Sequence, residues 1–597
     1  MNLKSITIKN FRNYEHVELA LQNKNILFGR NDFGKTNFLY AIRFLFDPSI
    51  RNKGFDMSDY HEKNISQPIE ITLEIDISDE NDDDNEFIRA KVKEAAEFST
   101  GSFFIQIEGH YDQAKQKGNP ILKWGGATDE LKTINQRGMY SDLDSVFEVV
   151  YLNPNLSPKE LFSKYRGLLY KDKETSKNKE IKEAIANLNN VISQDERVNT
   201  LSTSLTKKYT AIRRENIAVE LKSEHEVNGI FNHLVPYIKD SSKEDENLYP
   251  TSGDGRQKIL AYALTNLIEE LKLEERATKK ITIFLIEEIE NSLHPSMQQV
   301  VSRHLFQVNK NLYPYLFVTT HSEHVFAYMD EVNLVRIYRD ENLCITNKST
   351  FFKVPDQFNL TRKVFNESLA HTFFYDRVLL VEGMSEKILF EAVLEKLAEE
   401  SEVDFTKLEQ IIILSVEGIG FEHYVRCLKE LGIKMIIKTD NDIRKVKGKD
   451  EVSILGINRC KRIYELLTKS KYEATSEESF SSEGFNLEKK DEKDALKKSI
   501  YDKYSDEVNR WKRHHIYLSE IELEEDLCEV IPERIRANEV FNGDFVGYLQ
   551  KAKKENMNTF VNEFLDVESA KLIYRNEKLA CIKALVGEMN TNECEPY

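Results

Sequence analysis

Apolar and polar positions alternate from the start of the chain: Ile6, Ile8 and Phe11, then Val17, Leu19 and Leu21, follow the period of two expected of half-buried strands. The stretch Asn25 to Phe28 is strand-like and runs directly into a glycine-containing turn. Between about 68 and 155, the segments IEITLEIDI, SFFIQIEGHY, NPILKWGG and FEVVYL predict further strands and a β-rich lobe. From about 156 to 235 the period becomes helical, with Ile181, Ile185, Leu188, Val191 and Ile192, then Leu201, Leu205, Tyr209 and Ile212. Such stripes suit either helices packed within their own domain or a helical dimerisation insert. Between about 250 and 350 the pattern predicts a helix around Ile259 to Leu273 and two buried strands, ITIFLI and YLFVTT. The stretch from about 345 to 365 reads as a linker. Beyond it, RVLLV, a helix from Ser385 to about Ala398, QIIIL, a helix near Tyr424 to Leu431 and MIIKT alternate strand with helix, which implies a parallel sheet. A charged stretch, about 468 to 505, reads as exposed helix or loop before structure resumes at HHIYLSEIELEEDL.

Length divides this pattern into several cores. At 597 residues the chain exceeds what one hydrophobic core supports, and two to four domains are expected. Lys and Arg number 83 against 101 Asp and Glu, a net charge of −18, which argues against a protein that coats nucleic acid by net charge alone. The same excess is compatible with carboxylates gathered around divalent metal. Six scattered cysteines without a C-x-x-C pair suggest neither a disulfide framework nor a zinc site. The N-terminal segment lacks an apolar signal core and no run of about 18 apolar residues occurs, so a cytoplasmic protein without membrane spans is expected.

Two constellations carry chemistry. Gly29 to Thr36 reads GRNDFGKT, a G-x-x-x-x-G-K-[ST] loop between a strand and a helix. Gly29, Asn31 and Gly34 let backbone N–H groups curl around phosphates, Lys35 supplies charge to the β- and γ-phosphates, and the Thr36 hydroxyl can hold Mg²⁺. ATP is the expected nucleotide. ITIFLIEEIE then ends a buried strand in two carboxylates: Glu287 would support Mg²⁺ through water, and Glu288 would orient or deprotonate the attacking water. YLFVTTHS places His321 at another strand end, where it could sense the γ-phosphate. Upstream, SGDGR offers Ser252 and Gly253 at a helix start, with N–H groups suited to phosphate.

The second constellation is acidic. Glu382 ends the strand VLLV and Glu386 follows one helical turn later, while Asp440 and Asp442 end the strand MIIKT. Carboxylates at i and i+2 of an extended chain project to one side. Four of them at the ends of two parallel strands would repel one another, and Mg²⁺ or Mn²⁺ resolves the conflict through hard oxygen ligands. A solvated acidic edge is the bland alternative.

The order phosphate loop, SGDGR, strand-EE and strand-TTHS resembles the head domain of ABC-type ATPases, in the branch holding the SMC, RecF-like and OLD (overcoming lysogenization defect) families. There the signature motif of one subunit closes over ATP bound to another, so dimerised heads are implied. Asp254 places a carboxylate in that signature, and Ile289 stands where proline is usual, so nucleotide binding is the firmer expectation and hydrolysis could be slow. Strand-E-G-x-x-E followed by strand-D-x-D resembles the TOPRIM domain of topoisomerases, primases and OLD-type nucleases. The whole chain, through NFRNYE, NDFGKTNFLYA, YPTSGDGR, SLH, EGMSEKILFE, IIKTDND, YLSEIELEEDL and YLQKAK, resembles the endonuclease subunits of Gabija anti-phage systems.

That resemblance implies an α/β architecture: an ABC-type ATPase head with a helical dimerisation insert, then a Rossmann-like TOPRIM domain. Residues 1–155 would hold the phosphate loop and β-lobe, and 156–240 the insert. Residues 241–355 would complete the ATPase, and 366–597 would form the nuclease domain with C-terminal helical elements. It implies a second metal position in YLSEIELEEDL, where Glu522 and Glu524 alternate along an extended segment and the choice among Glu520, Glu522 and Glu524 stays open. It implies a catalytic lysine at Lys553, with Lys551 the less favoured candidate. The implied function is ATP-regulated, two-metal hydrolysis of duplex DNA by a homo-oligomer, a dimer of dimers, beside a UvrD-like helicase subunit. A RecF- or SMC-like DNA-binding ATPase that cuts no strand is the alternative.

Overall fold

A computed structural model describes residues 1–92, 101–155, 157–165, 177–213, 253–274, 280–306, 313–326, 329, 331–340, 344–353, 367–416, 420–468 and 478–587. The chain divides into two compact units. One comprises 1–151, 282–290 and 298–597; the other comprises 152–281 and 291–297.

The first unit contains three principal sheets. In the outer one, β1 (Asn2–Phe11), β2 (Tyr14–Ala20), β4 (Ile69–Asp76), β5 (Ser102–Asp112), β6 (Lys117–Gly125) and β7 (Lys132–Thr133) lie in the order β2-β1-β4-β5-β6-β7. The register Ile6↔Leu19, Ile6↔Leu73 and Ile8↔Ile71 puts the alternating apolar set of three strands on one face. All of these side chains are buried.

The second sheet runs β8-β9-β10-β3-β11-β12, formed by β8 (Phe147–Leu152), β9 (Ile281–Ile286), β10 (Tyr315–Thr320), β3 (Lys24–Phe28), β11 (Glu331–Arg339) and β12 (Ile345–Lys353). β9, β10, β3 and β11 are parallel. Every residue of β10 is buried, as a parallel strand covered on both faces requires. The expected linker is corrected in its first half: Ile345–Lys353 is an edge strand antiparallel to β11, from Glu331↔Lys353 to Arg339↔Ile345. Its polar sequence, ITNKSTFFK, hides the strand because pairing to a neighbour, and not burial of a face, holds it. Residues 354–365 lie outside the described residues.

The third sheet is wholly parallel, in the order β14-β13-β15-β16: β13 (Arg377–Val381) lies between β14 (Ile411–Ser415) and β15 (Lys434–Thr439), and β16 (Ile516–Leu518) adds to β15. Helices α2 (Met384–Glu399), α3 (Phe421–Glu430) and α4 (Leu455–Thr468) connect or flank the strands. The core beneath them gathers Leu379, Val381, Leu389, Phe390, Ile436 and Leu527. The charged stretch contains a helix, α5 (Lys490–Lys503), that is less exposed than expected, since Leu496, Lys497 and Ile500 are buried.

In the second unit, Asn178–Gln194 and Glu196–Arg213 are helices, as is Asp254–Glu274. The last of these falls in the same unit as the insert helices. Ile185 is buried, whereas Leu188, Val191, Leu201 and Leu205 are exposed, between 41% and 68%. The side chains of Ile192, Tyr209 and Ile212 lie outside the described residues.

Candidate functional sites

The phosphate loop grows out of β3 at the centre of its sheet. Gly29 has φ +145, and a Cβ there would meet the Ile337 carbonyl oxygen at 2.1 Å; Gly34 has φ +101 and faces the Asn13 amide at 2.3 Å. Both positions therefore need glycine. The loop feeds α1 (Lys35–Phe46), whose first residue is the buried Lys35. Its ammonium donates to the carbonyl oxygens of Gly29 (2.9 Å) and Arg30 (2.7 Å). Burial lowers its pKa to about 8 against the opposing pull of Glu290, Glu288 and Asp32.

Register brings the remaining motifs to this loop. Thr320 pairs with Phe28, so His321 emerges beside Gly29; Ile286 pairs with Val318, so Glu287 emerges beside Thr319. Glu287 accepts from the Thr36 hydroxyl and from the Tyr151 hydroxyl. Glu288 adopts φ +45 and its N–H donates to Thr319 Oγ1 at 3.0 Å. Ile289 donates its N–H to the Thr319 carbonyl oxygen at 3.4 Å, a bond that proline could not make. The His321 imidazole is lowered to about 4 by burial and by Lys35, so it is neutral at pH 7. Gly29, Asn31, Asp32, His321, Arg339 and Phe374 line a cleft of about 640 Å³ here.

Gly29, Asn31, Gly34, Lys35, Thr36, Glu287, Glu288 and His321 thus converge. Gly253 precedes the helix Asp254–Glu274 in the other unit, and Ser252 lies outside the described residues. Sequence reasoning missed Glu290, whose carboxylate accepts from the His321 N–H (2.6 Å) and the Thr320 hydroxyl (2.8 Å). Burial raises its pKa. The third acid of EEIE was the available signal.

The acidic site forms at the ends of β13 and β15. Leu380 pairs with Ile437, which sets Glu382 beside Thr439. Glu382 Oε1 accepts from the Asp440 N–H (2.8 Å), the Thr439 hydroxyl and the Arg459 guanidinium. Thr439 pairs with Leu518, so Ser519 reaches Asp440 and donates to its Oδ1 at 3.0 Å. Glu386 lies in the first turn of α2 and is buried. Burial, then the nearby Glu382 and Glu524, pushes its carboxyl up to about 7; burial, then Glu386 and Glu382, pushes Asp440 up well above the ordinary carboxylate range.

The YLSEIELEEDL segment differs from expectation. Glu522 is extended (φ −142, ψ 172) but caps a helix, α6 (Leu523–Val530), and Glu524 is in that helix's first turn. Leu523, Leu527 and Ile531 at four-residue spacing bury one face, and acids suit the positive N-terminal end of the dipole. Oxygens of Glu522, Glu524 and Glu525 lie within 4.8 Å of one another. Glu520 instead pairs with Lys578 at 3.0 Å. Glu522 is held at 2.8 Å by the buried Lys497, which outweighs burial and lowers its pKa.

Helices α7 (Phe545–Lys551) and α8 (Lys553–Glu563) separate the two candidate lysines. Both lysines are exposed; Lys553 lies 3.7 Å from Glu522 and 3.8 Å from Glu524. Glu382, Glu386, Asp440, Asp442, Glu522 and Lys553 line one cleft of about 390 Å³. Oε2 of Glu524 and of Glu525 are buried without a hydrogen-bond partner, so this donor set fits a hard divalent cation.

A family model described as an AAA ATPase domain matches residues 1–326. Another, described as the TOPRIM domain of overcoming-lysogenization-defect-like proteins, matches residues 373–442. The chain is 41% identical to "Endonuclease GajA" of Bacillus cereus (strain VD045) over 98% of its own length and 99% of that protein. It is 23% identical to "Old nuclease" of Escherichia phage P2 over 74% of its length and 77% of that protein. Similarity to the DNA replication and repair protein RecF of Lactococcus lactis, 56% identical, is confined to 46 residues, 8% of the chain.

Proposed function

The chain belongs to the OLD family of ATPase–TOPRIM proteins, with the GajA endonucleases, and from that premise we propose that it is an ATP-linked, divalent-metal-dependent endonuclease that cuts duplex DNA in anti-phage defence. The observation that carries the reading is the convergence of Glu382, Glu386, Asp440, Asp442, Glu522 and Lys553 on one cleft. Glu382, Glu386, Asp440 and Asp442 would hold one Mg²⁺ or Mn²⁺, and Glu522 with Glu524 a second. Bound there, the ions supply an activated water and a counter-charge for the leaving 3′ oxygen. Lys553 adds a fixed ammonium toward the charge that builds on the scissile phosphate. Ser519 and the Asp440 N–H hold the carboxylates in place, and Lys497 keeps Glu522 ionised.

ATP would lie against the phosphate loop, with Lys35 and Thr36 on its phosphates and metal, Glu287 and Glu288 at the attacking water, and the neutral His321 reading the γ-phosphate. Ser252 and Gly253 of a second subunit would close the site. Nucleotide occupancy gates the acidic cleft in this reading, and Asp376 supports it. This carboxylate receives Arg30 of the phosphate loop at 3.6 Å and Arg336 of β11 at 2.8 Å, one residue before β13 leads to Glu382. Arg336 also donates to the Gly432 carbonyl oxygen (3.1 Å), two residues before β15 leads to Asp440. Exposed Leu188, Val191, Leu201 and Leu205 suit the insert, 156–240, to dimerisation, within a tetramer partnered by a UvrD-like helicase subunit. No helix among the described residues is long and apolar enough to cross a membrane.

Plasmid DNA incubated with Mg²⁺ or Mn²⁺ is expected to be nicked or cut, and Glu382→Ala to abolish this. Undiminished cleavage by that variant rejects the assignment of the acidic cleft, and absence of cleavage by the parent returns the chain to the DNA-binding ATPases that cut nothing.

A further inference from the structure

No motif in the sequence draws attention to Arg459, yet its side chain reaches two carboxylates of the acidic cleft. It comes from α4, whose Ile457, Cys460 and Ile463 are buried, so the helix is fixed in place. The guanidinium reaches Glu382 Oε1 and Thr439 Oγ1 through Nη1, and Asp442 Oδ2 through Nη2 at 3.2 Å. Its side chain is 23% exposed, and the Phe421 ring lies 6.0 Å from its Cζ. On the other side of the cleft Lys553 stands near Glu522 and Glu524. The carboxylate set thus already faces cations of the chain itself, a forked one on Glu382 and Asp442, and the ammonium groups of Lys497 on Glu522 and of Lys553 near Glu522 and Glu524.

A guanidinium presents donors in a rigid plane that matches carboxylate oxygens, and a divalent cation uses those same lone pairs. One oxygen cannot serve both at full strength. Resting on the metal assignment above, we infer that Arg459 is an internal competitor for the divalent cation shared by Glu382 and Asp442, so that loading this half of the site requires the guanidinium to withdraw. The charge of Arg459 offsets mutual repulsion among Glu382, Asp442, Asp440 and Glu386, which keeps the acidic cleft tolerable before a cation arrives. The cost of this arrangement is a metal affinity below what the donor set alone would give. Lys553, farther from its carboxylates at 3.7 and 3.8 Å, is a weaker competitor for the second half.

The test is Mn²⁺ binding to the full chain without nucleotide or DNA, followed by the electron paramagnetic resonance signal of free Mn²⁺. Arg459→Gln is expected to tighten binding about five- to tenfold, because it removes both the competing donors and their charge. Lys554→Gln removes a charge from the same cleft, and its effect is expected to stay within about twofold. Unchanged or weaker binding by Arg459→Gln overturns the inference, as does equal tightening by Lys554→Gln. Should Arg459→Gln melt below the assay temperature, Arg459→Lys carries the test: it keeps the charge but loses the fork, with about two- to threefold tightening expected and parent-like affinity overturning the idea. Glu382→Gln separates the two levels. If it binds Mn²⁺ as the parent does, the metal assignment itself fails; if it loses binding while Arg459→Gln matches the parent, only the role of Arg459 fails.

Discussion

Lys551 and Lys553 are two residues apart in the same basic run, and spacing offers no way to choose between them. We favour Lys553 because, past the break between α7 and α8, it lies 3.7 and 3.8 Å from Glu522 and Glu524. Lys553→Ala is expected to slow plasmid cleavage about 10²- to 10³-fold at saturating metal, and Lys551→Ala by no more than about threefold. Equal losses would remove Lys553 from its proposed role. Away from both sites, His515 provides a pH prediction. Burial, then Arg377, His514 and Lys434, lowers its imidazole from 6.5 to about 4. The unfolded chain therefore binds the extra proton between these values, so stability is full above about 6.5 and is lost as pH falls toward about 4. His515 has φ +57, a conformation that asparagine tolerates. His515→Asn should flatten this part of the curve, losing on the order of 1 to 3 kcal/mol less than the parent between pH 7 and pH 4 in denaturant melts. Parallel curves for the two proteins would show that His515 does not carry it.

At the scale of elements, β15 and α6 must be held together for the acidic cleft to exist, and a buried ion pair does this. Lys438 of β15 and Asp526 of α6 lie 3.0 Å apart, at 1% and 2% exposure. Breaking such a pair leaves one charge buried and alone, so Asp526→Leu should cost about 3 to 5 kcal/mol in thermal or urea melts. Adding Lys438→Met should restore most of it; a double variant no better than the single would mean that the cost comes from shape and not charge. The strands and helices themselves were largely legible. Alternation marked β1, β4 and β5, and continuous apolar runs marked β9, β10, β13 and β15, because their faces are buried and the pattern records burial. β12 escaped because an edge strand need bury nothing, and α6 was taken as extended because its acids at 522 and 524 resemble strand alternation more than a helix cap. Buried Lys497 escaped for the same reason as Lys438: charge reads as surface until a partner is known.

In the larger of the two compact units, Asp376 pairs with Arg30 and Arg336 one residue before β13 leads to Glu382, and in the proposed reading it links the nucleotide cleft to the acidic cleft. Arg30 is the member of this trio that sits in the phosphate loop, and a bound phosphate would compete with Asp376 for it. Asp376→Asn is expected to keep nucleotide binding and metal-dependent cleavage within about twofold of the parent while losing at least half of the response of cleavage to ATP. An undiminished ATP response would place the coupling elsewhere. The residue order along the chain is enough to single out the phosphate loop, the paired acids after β9, Glu382, Asp440 and Asp442 as candidates, since each follows the end of an apolar strand, a local arrangement that chemistry constrains within a few residues. It also accounts for the −18 charge, part of which is now gathered in two clefts. Arg459, Glu290, Tyr151 and the Arg30–Asp376–Arg336 cluster were settled only by folding. Their partners lie at least 17 residues away, and Glu287 lies 136 from Tyr151, so a side chain's role across such distances depends on strand register and helix placement, which local pattern does not encode.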